Sequence, residues 1–145
     1  MNKTTGHFLI VEDDDDHAKL ISLALEEEPG ITFDRVSDGR AAISYLRQEE
    51  GFESSPRPDV VLLDLNLPLM NGHQVLAEIK RDEALRTIPV VVLTTSAVSD
   101  DLRVAYQHHA NSYLVKPLDF AQFDRLMAEI RRYWGNCNTG ALTAP

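Results

Sequence analysis

Short apolar runs alternate along the chain with stretches in which apolar positions recur every three or four residues. Phe8-Leu9-Ile10-Val11 is partly β-branched and stops at Glu12-Asp13-Asp14-Asp15-Asp16, the pattern of a buried strand that ends in acid. From His17 the spacing turns helical, with Leu20, Ile21, Ala24 and Leu25 on one face and Pro29-Gly30 closing the segment. Asp14 to Asp16 supply N-cap and first-turn carboxylates, which suit the positive end of a helix dipole. Ile31 to Val36 reads as a second strand, Ser37-Asp38-Gly39 as a turn, and Ala41, Ala42, Ile43, Tyr45 and Leu46 as the next helix. The polar stretch Glu49 to Pro58 reads as a surface loop.

Asp59 to Asp64 is a third strand that again ends on a carboxylate, and the loop Leu65 to Gly72 leads into a helix, His73 to Arg81, with Val75, Leu76 and Ile79 inward. Pro89 to Thr94 is the fourth and most apolar strand, and hydroxyls follow it: Thr94, Thr95 and Ser96. Ser99 and Asp100 suit the cap of a helix running to about His108 with Leu102, Val104, Ala105 and Tyr106. Ser112 to Lys116 is the fifth strand, and Phe120 to Tyr133 the last helix, with Phe123, Leu126, Met127, Ile130 and Trp134 on its apolar stripe. Five short buried strands, each followed by a helix, imply a doubly wound parallel α/β sheet with helices on both faces. The domain is expected over residues 7–134, and residues 135–145, which lack periodicity and include Cys137, are expected to be a frayed tail.

Composition narrows the function more than the fold. At 145 residues the chain has the length of one domain, and 43% hydrophobic with 26% charged residues is the balance of a globular protein. Asp and Glu number 23 against 14 Lys and Arg, and a net charge of -9 repels phosphate backbones and anionic lipid, which argues against nucleic acid and membrane as partners. Cys137 alone makes no internal disulfide. Met1 to Phe8 has no charged-then-apolar signal pattern, and no apolar run approaches the ~18 residues of a membrane span, so the expected location is the cytoplasm.

The candidate chemistry lies at strand ends: Glu12 and Asp13 after the first, Asp64 at the third, Thr94 at the fourth and Lys116 at the fifth. Open parallel sheets bind ligands beyond the carboxyl ends of their strands, where the strand order reverses. In the flavodoxin-like order 2-1-3-4-5 that point lies between the first and third strands, which carry the acids. Carboxylates crowded there repel one another unless a cation compensates. Mg²⁺ is a suitable hard cation, with Asp13 and Asp64 as direct ligands, Glu12 holding a coordinated water and the Asn66 carbonyl as a neutral oxygen. An aspartate can attack phosphorus and carry the phosphoryl group, with Lys116 pairing one of its oxygens and Thr94 donating to another.

In Ile10-Val11-Glu12-Asp13-Asp14, Val61 to Gly72, Val92-Leu93-Thr94-Thr95-Ser96 and Tyr113-Leu114-Val115-Lys116-Pro117, the sequence resembles the receiver domain of two-component response regulators. The resemblance spans Phe8 to Trp134 and rests on four motifs in order. Within that family it is most similar to the stand-alone regulators paired with phytochrome histidine kinases, through Leu93-Thr94-Thr95-Ser96, Ala110-Asn111-Ser112-Tyr113 and a Trp near the end. The resemblance implies the (βα)5 flavodoxin-like fold, Asp64 as phosphoacceptor, Glu12, Asp13, Asp64 and Asn66 around Mg²⁺, and Lys116 as the phosphate-pairing lysine. It also implies Thr94 and Tyr113 as the switch pair and a cis bond between Lys116 and Pro117. Asn71 stands where Asp is commoner before Gly72, at a residue that mainly shapes the turn.

The reading is therefore a phosphorelay regulator, not an enzyme in its own right, that takes a phosphoryl group from a histidine kinase, of which a bacterial phytochrome is one candidate. Its output is a changed protein contact through the fourth helix, fifth strand and fifth helix, including a homodimer. Two alternatives stand beside it. A Mg²⁺-dependent phosphatase acting through an aspartyl phosphate would want a second carboxylate where Asn66 stands; a receiver-like module that binds without phosphorylation would not need Asp13, Asp64, Thr94 and Lys116 together. Singly, Thr94 reads as a strand-end hydroxyl, Lys116 as a surface charge and Tyr113 as a core aromatic. His73, His108 and His109 read as surface residues, and Cys137 as an incidental thiol.

Overall fold

Five strands form: β1 (Gly6–Val11), β2 (Ile31–Val36), β3 (Val60–Leu63), β4 (Val90–Thr94) and β5 (Ser112–Val115); the apolar runs of β1, β3 and β4 are buried on both sides, whereas the edge strands β2 and β5, expected to be buried too, are partly exposed. In the computed structural model, which describes residues 6–137, they pair in parallel in the order β2-β1-β3-β4-β5. Between them run α1 (Asp15–Glu26), α2 (Gly39–Arg47), α3 (Gly72–Arg81), α4 (Ser99–Gln107) and α5 (Phe120–Arg132), so the order, connection and layers are those of the flavodoxin-like fold expected from sequence.

Alternation along the strands divides the core into two layers. Leu9, Val11, Val61, Leu63, Val90 and Val92 meet α2 and α3, whereas Phe8, Ile10, Val60, Leu62, Val91 and Leu93 meet α1 and α5. Side-chain caps fix most helix starts. Asp14 accepts from the His17 N–H, Asp38 from Ala41 and Asp119 from Ala121, while Asn71 and Gln74 form a reciprocal capping box at α3. Asn71 thus does in this loop the turn-shaping work expected of the residue before Gly72.

Two expectations about the helices are corrected. Ser99 and Asp100 do not cap α4: its N-cap is Val98, which has no side-chain oxygen to accept, and Ser99 and Asp100 both lie inside the first turn. Ala105 is the one buried residue of α4, while Leu102 is 41% and Tyr106 50% exposed. The chain also does not leave helical conformation at residue 135. A π-helical turn continues over Tyr133–Cys137, with Tyr133 and Trp134 in edge-on contact and Gly135 buried close to Gly6 at the start of β1. The rest of the expected tail, residues 138–145, lies outside the described residues. Among those residues no helix is long and apolar enough to cross a membrane.

Candidate functional site

Strand register brings the acids together. Val11 pairs with Leu63 across β1 and β3, and the Asp64 N–H donates to the Val11 carbonyl at 3.0 Å, so Glu12, Asp13 and Asp64 leave adjacent strands side by side. One carboxylate oxygen from each lies within 4.8 Å of the other two. Thr94 closes β4, and the Lys116 N–H donates to its carbonyl at 2.7 Å, which sets the base of the lysine beside the same pocket. Gly72 explains why the β3–α3 loop can lie so close: a Cβ there would stand 2.4 Å from the Asp64 carbonyl oxygen.

Lys116 reaches inward. Its Nζ donates to Glu12 Oε1 at 2.5 Å and to Asp64 Oδ2 at 3.2 Å, and lies 3.0 Å from His17 Nδ1. An ammonium has only donors, so His17 accepts through Nδ1 and carries its proton on Nε2. Glu12, Asp64, Thr94 and Lys116 are all buried. Burial is the main reason that the Glu12 carboxyl is pushed up to about 7; the Lys116 bond opposes this and the Asp64 charge adds to it. Three carboxylates against one ammonium leave excess negative charge on hard oxygen donors, which fits a divalent cation in chemistry and in spacing.

Asn66 is exposed two residues past Asp64, and its N–H donates to Asp64 Oδ1 at 3.3 Å. The buried Thr94 hydroxyl accepts from the Ser96 N–H at 3.4 Å and makes no bond to Asp64. Tyr113 is half-buried, packed on the α2–α3 side of the core, and donates its hydroxyl proton to the Ser96 carbonyl at 2.9 Å. Pro117 is the site residue placed otherwise than expected: among the described residues no peptide bond is cis, so the Lys116–Pro117 bond is trans. Trans is the lower-energy form of an X–Pro bond by about 0.5–1 kcal/mol, and Lys116 reaches both carboxylates from it.

Two features escaped the sequence reading. His17 lies three and four residues before Leu20 and Ile21, on the inward stripe of α1, a periodicity that could have placed it at the pocket. His73 is not a plain surface residue: its Nε2 pairs with Asp101 Oδ1 at 3.0 Å, and its Nδ1 is buried without a partner. His108 is half-buried and His109 exposed, and neither joins a metal-ligating cluster among the described residues.

A family model, the response regulator receiver domain, matches residues 8–131. The chain belongs to that family. The receiver is 54% identical over 128 residues to the probable methanogenesis regulatory protein FilR2 of Methanothrix harundinacea, covering 87% of this chain and 81% of that protein. It is 41% identical over 130 residues to the response regulator Rcp1 of a Synechocystis species, covering 87% and 86%. Among solved structures, the phosphorylated cyanobacterial phytochrome response regulator RcpA superposes with a TM-score of 0.91 at 39% identity, over 94% of this chain and 98% of that one. The Mn(2+)-bound form of Rcp1 gives 0.90 at 38% identity, over 94% and 99%. The receiver is thus a phosphorelay signalling protein whose acidic pocket suits a divalent metal.

Proposed function

We propose that Asp64 is the phosphoacceptor of this receiver and that Mg²⁺ is its metal, held by Glu12, Asp13, Asp64 and the Asn66 carbonyl. The observation that carries this reading is the Lys116 ammonium bonded to Glu12 and Asp64 in a buried pocket beside the third acid. An Asp64 carboxylate oxygen attacks the phosphorus of a phosphohistidine on a histidine kinase. The P–N bond breaks as the P–O bond forms, and the imidazole leaves with the P–N electron pair. Lys116 exchanges its Asp64 contact for a phosphoryl oxygen, and the Thr94 hydroxyl donates to another. Bound Mg²⁺ supplies charge neutralisation for the transferring group. Tyr113 and Thr94 form the switch pair, which moves by population shift because the phosphoryl group bonds better to one arrangement.

The kinase reads as a phytochrome through likeness to RcpA, a cyanobacterial phytochrome response regulator. The receiver acts in the cytoplasm and not on nucleic acid, in keeping with its charge of -9. Leu102, Tyr106, Val115, Leu118 and Phe120 are exposed along α4, β5 and the start of α5, and they support that face as the output and homodimer surface. The test is mass spectrometry after incubation with acetyl phosphate and Mg²⁺. One phosphate is expected on the wild type and none on Asp64→Asn; an unmodified wild type, or an equally modified variant, overturns the assignment. A sedimentation mass that stays monomeric with and without beryllofluoride removes the dimer.

A further inference from the structure

Ser96 is the hub of the loop between β4 and α4. Its N–H donates to the Thr94 hydroxyl at 3.4 Å, its carbonyl accepts from the Tyr113 hydroxyl at 2.9 Å, and its own hydroxyl donates to Asp101 Oδ2 at 2.6 Å. The other oxygen of Asp101 takes His73 Nε2 at 3.0 Å. An ionised carboxylate only accepts, so His73 carries its proton on Nε2 in this pair. The two bonds hold the Asp101 carboxyl below the usual carboxylate range, the Ser96 hydroxyl first and His73 second. His73 itself follows Gly72, whose N–H donates to the Leu65 carbonyl at 2.9 Å and whose Cα lies against the Asp64 backbone. A continuous path therefore runs from the Asp64–Leu65 backbone through Gly72, His73, Asp101 and Ser96 to Thr94.

We infer that His73, Asp101 and the Ser96 hydroxyl form a latch of positioning residues that ties the α4 start to α3 and holds Thr94 in register with Asp64 for phosphoryl acceptance. None of the three touches the reacting atoms. The latch matters because α4 has little else to fix its beginning: no side-chain cap and one buried residue. With the latch open, Thr94 is in register for a smaller fraction of the time, and the acceptance rate falls with that fraction. This inference rests on Asp64 being the phosphoacceptor.

The experiment follows phosphorylation of the full chain by acetyl phosphate and Mg²⁺, a small donor that needs no kinase docking. Asp101→Ala should slow acceptance about three- to tenfold, the loss for one or two hydrogen bonds. His73→Ala should slow it less, and the double variant should be no slower than Asp101→Ala, because both act through one carboxylate. Asp101→Asn keeps an oxygen for the latch and should restore the rate to within about twofold of the wild type. Asn111→Ala removes a bond to the Val90 N–H at the start of β4, away from the pocket, and should leave the rate unchanged, which separates positioning from general loss of stability. An Asp101→Ala rate equal to the wild type, fully additive effects of the two alanines, or no rescue by asparagine each overturns the latch. A wild type that takes no phosphate overturns the phosphoacceptor reading and the latch with it; a wild type that does, with variants unaltered, overturns the latch alone.

Discussion

Glu12 gives the most direct test of the pocket's electrostatics. Its side chain is almost wholly buried, and burial raises its carboxyl from 4.5 to about 7 in the folded chain. Between those values the folded state holds a proton that the unfolded state has released. A raised carboxyl contributes stability that is present below the unfolded value and lost as pH rises through the folded one, so metal-free protein should weaken from about pH 4.5 to about 7. At about 1.4 kcal/mol per pH unit the loss is roughly 3 kcal/mol, a large share of a domain's total stability. Glu12→Gln keeps an oxygen for Lys116 and removes the titration. Urea unfolding with EDTA at pH 5, 6, 7 and 8, on both proteins, isolates the effect in their difference. The Gln variant should gain on the wild type as pH rises, and millimolar Mg²⁺ should restore the wild type much more than the variant. Parallel pH curves for the two proteins would refute a buried, proton-holding Glu12.

Three further substitutions test the frame around the site. Gly72→Ala forces a Cβ to 2.4 Å from the Asp64 carbonyl oxygen, so unfolding should show a loss of about 1–3 kcal/mol and phosphorylation by acetyl phosphate should fail. Asn111→Ala leaves the Val90 N–H without its 2.8 Å bond and removes one of the three acceptors of Lys80, which keeps the Arg86 and Ile88 carbonyls, and chemical denaturation should show about 1–2 kcal/mol of loss. Leu69 holds a left-handed φ of 67° with its side chain exposed, so Leu69→Asn, which suits that conformation, should raise the melting temperature, for a gain of about 1 kcal/mol.

The central strands and their ends were legible because buried parallel strands read as continuous apolar runs, and Glu12, Asp13, Asp64 and Thr94 each stand where such a run stops; Lys116 follows the partly exposed edge strand β5. The register of β1 on β3 then brings residues about fifty positions apart into one pocket, as the fold order requires. Helix starts were less legible where more than one polar group competes. Ser99 and Asp100 have the composition of caps, yet the N-cap falls one residue earlier, on Val98, which has no side-chain acceptor. His73 carried no signal because its partner, Asp101, lies 28 residues away on another helix and no motif links them. The cis bond expected before Pro117 came from resemblance alone, with no local physics behind it, and the chain is trans there.

The unequal anchoring of the helices suggests where a signal can travel. α3 is held by a capping box and by buried Val75, Leu76 and Ile79, and α5 by an Asp119 cap and by Phe123, Met127 and Ile130. α4 has Ala105 alone, with Leu102 and Tyr106 exposed. Moving α4 therefore uncovers little apolar surface, and the bonds resisting it are chiefly those around Ser96, each worth about 1 kcal/mol. A hydrogen bond made or broken by the Thr94 hydroxyl is of the same size, so a change at the pocket can redistribute α4 while the sheet stays intact. The element easiest to shift is also the one that presents exposed apolar residues, and for that reason a local change in charge at Asp64 is expected to appear as a change in surface.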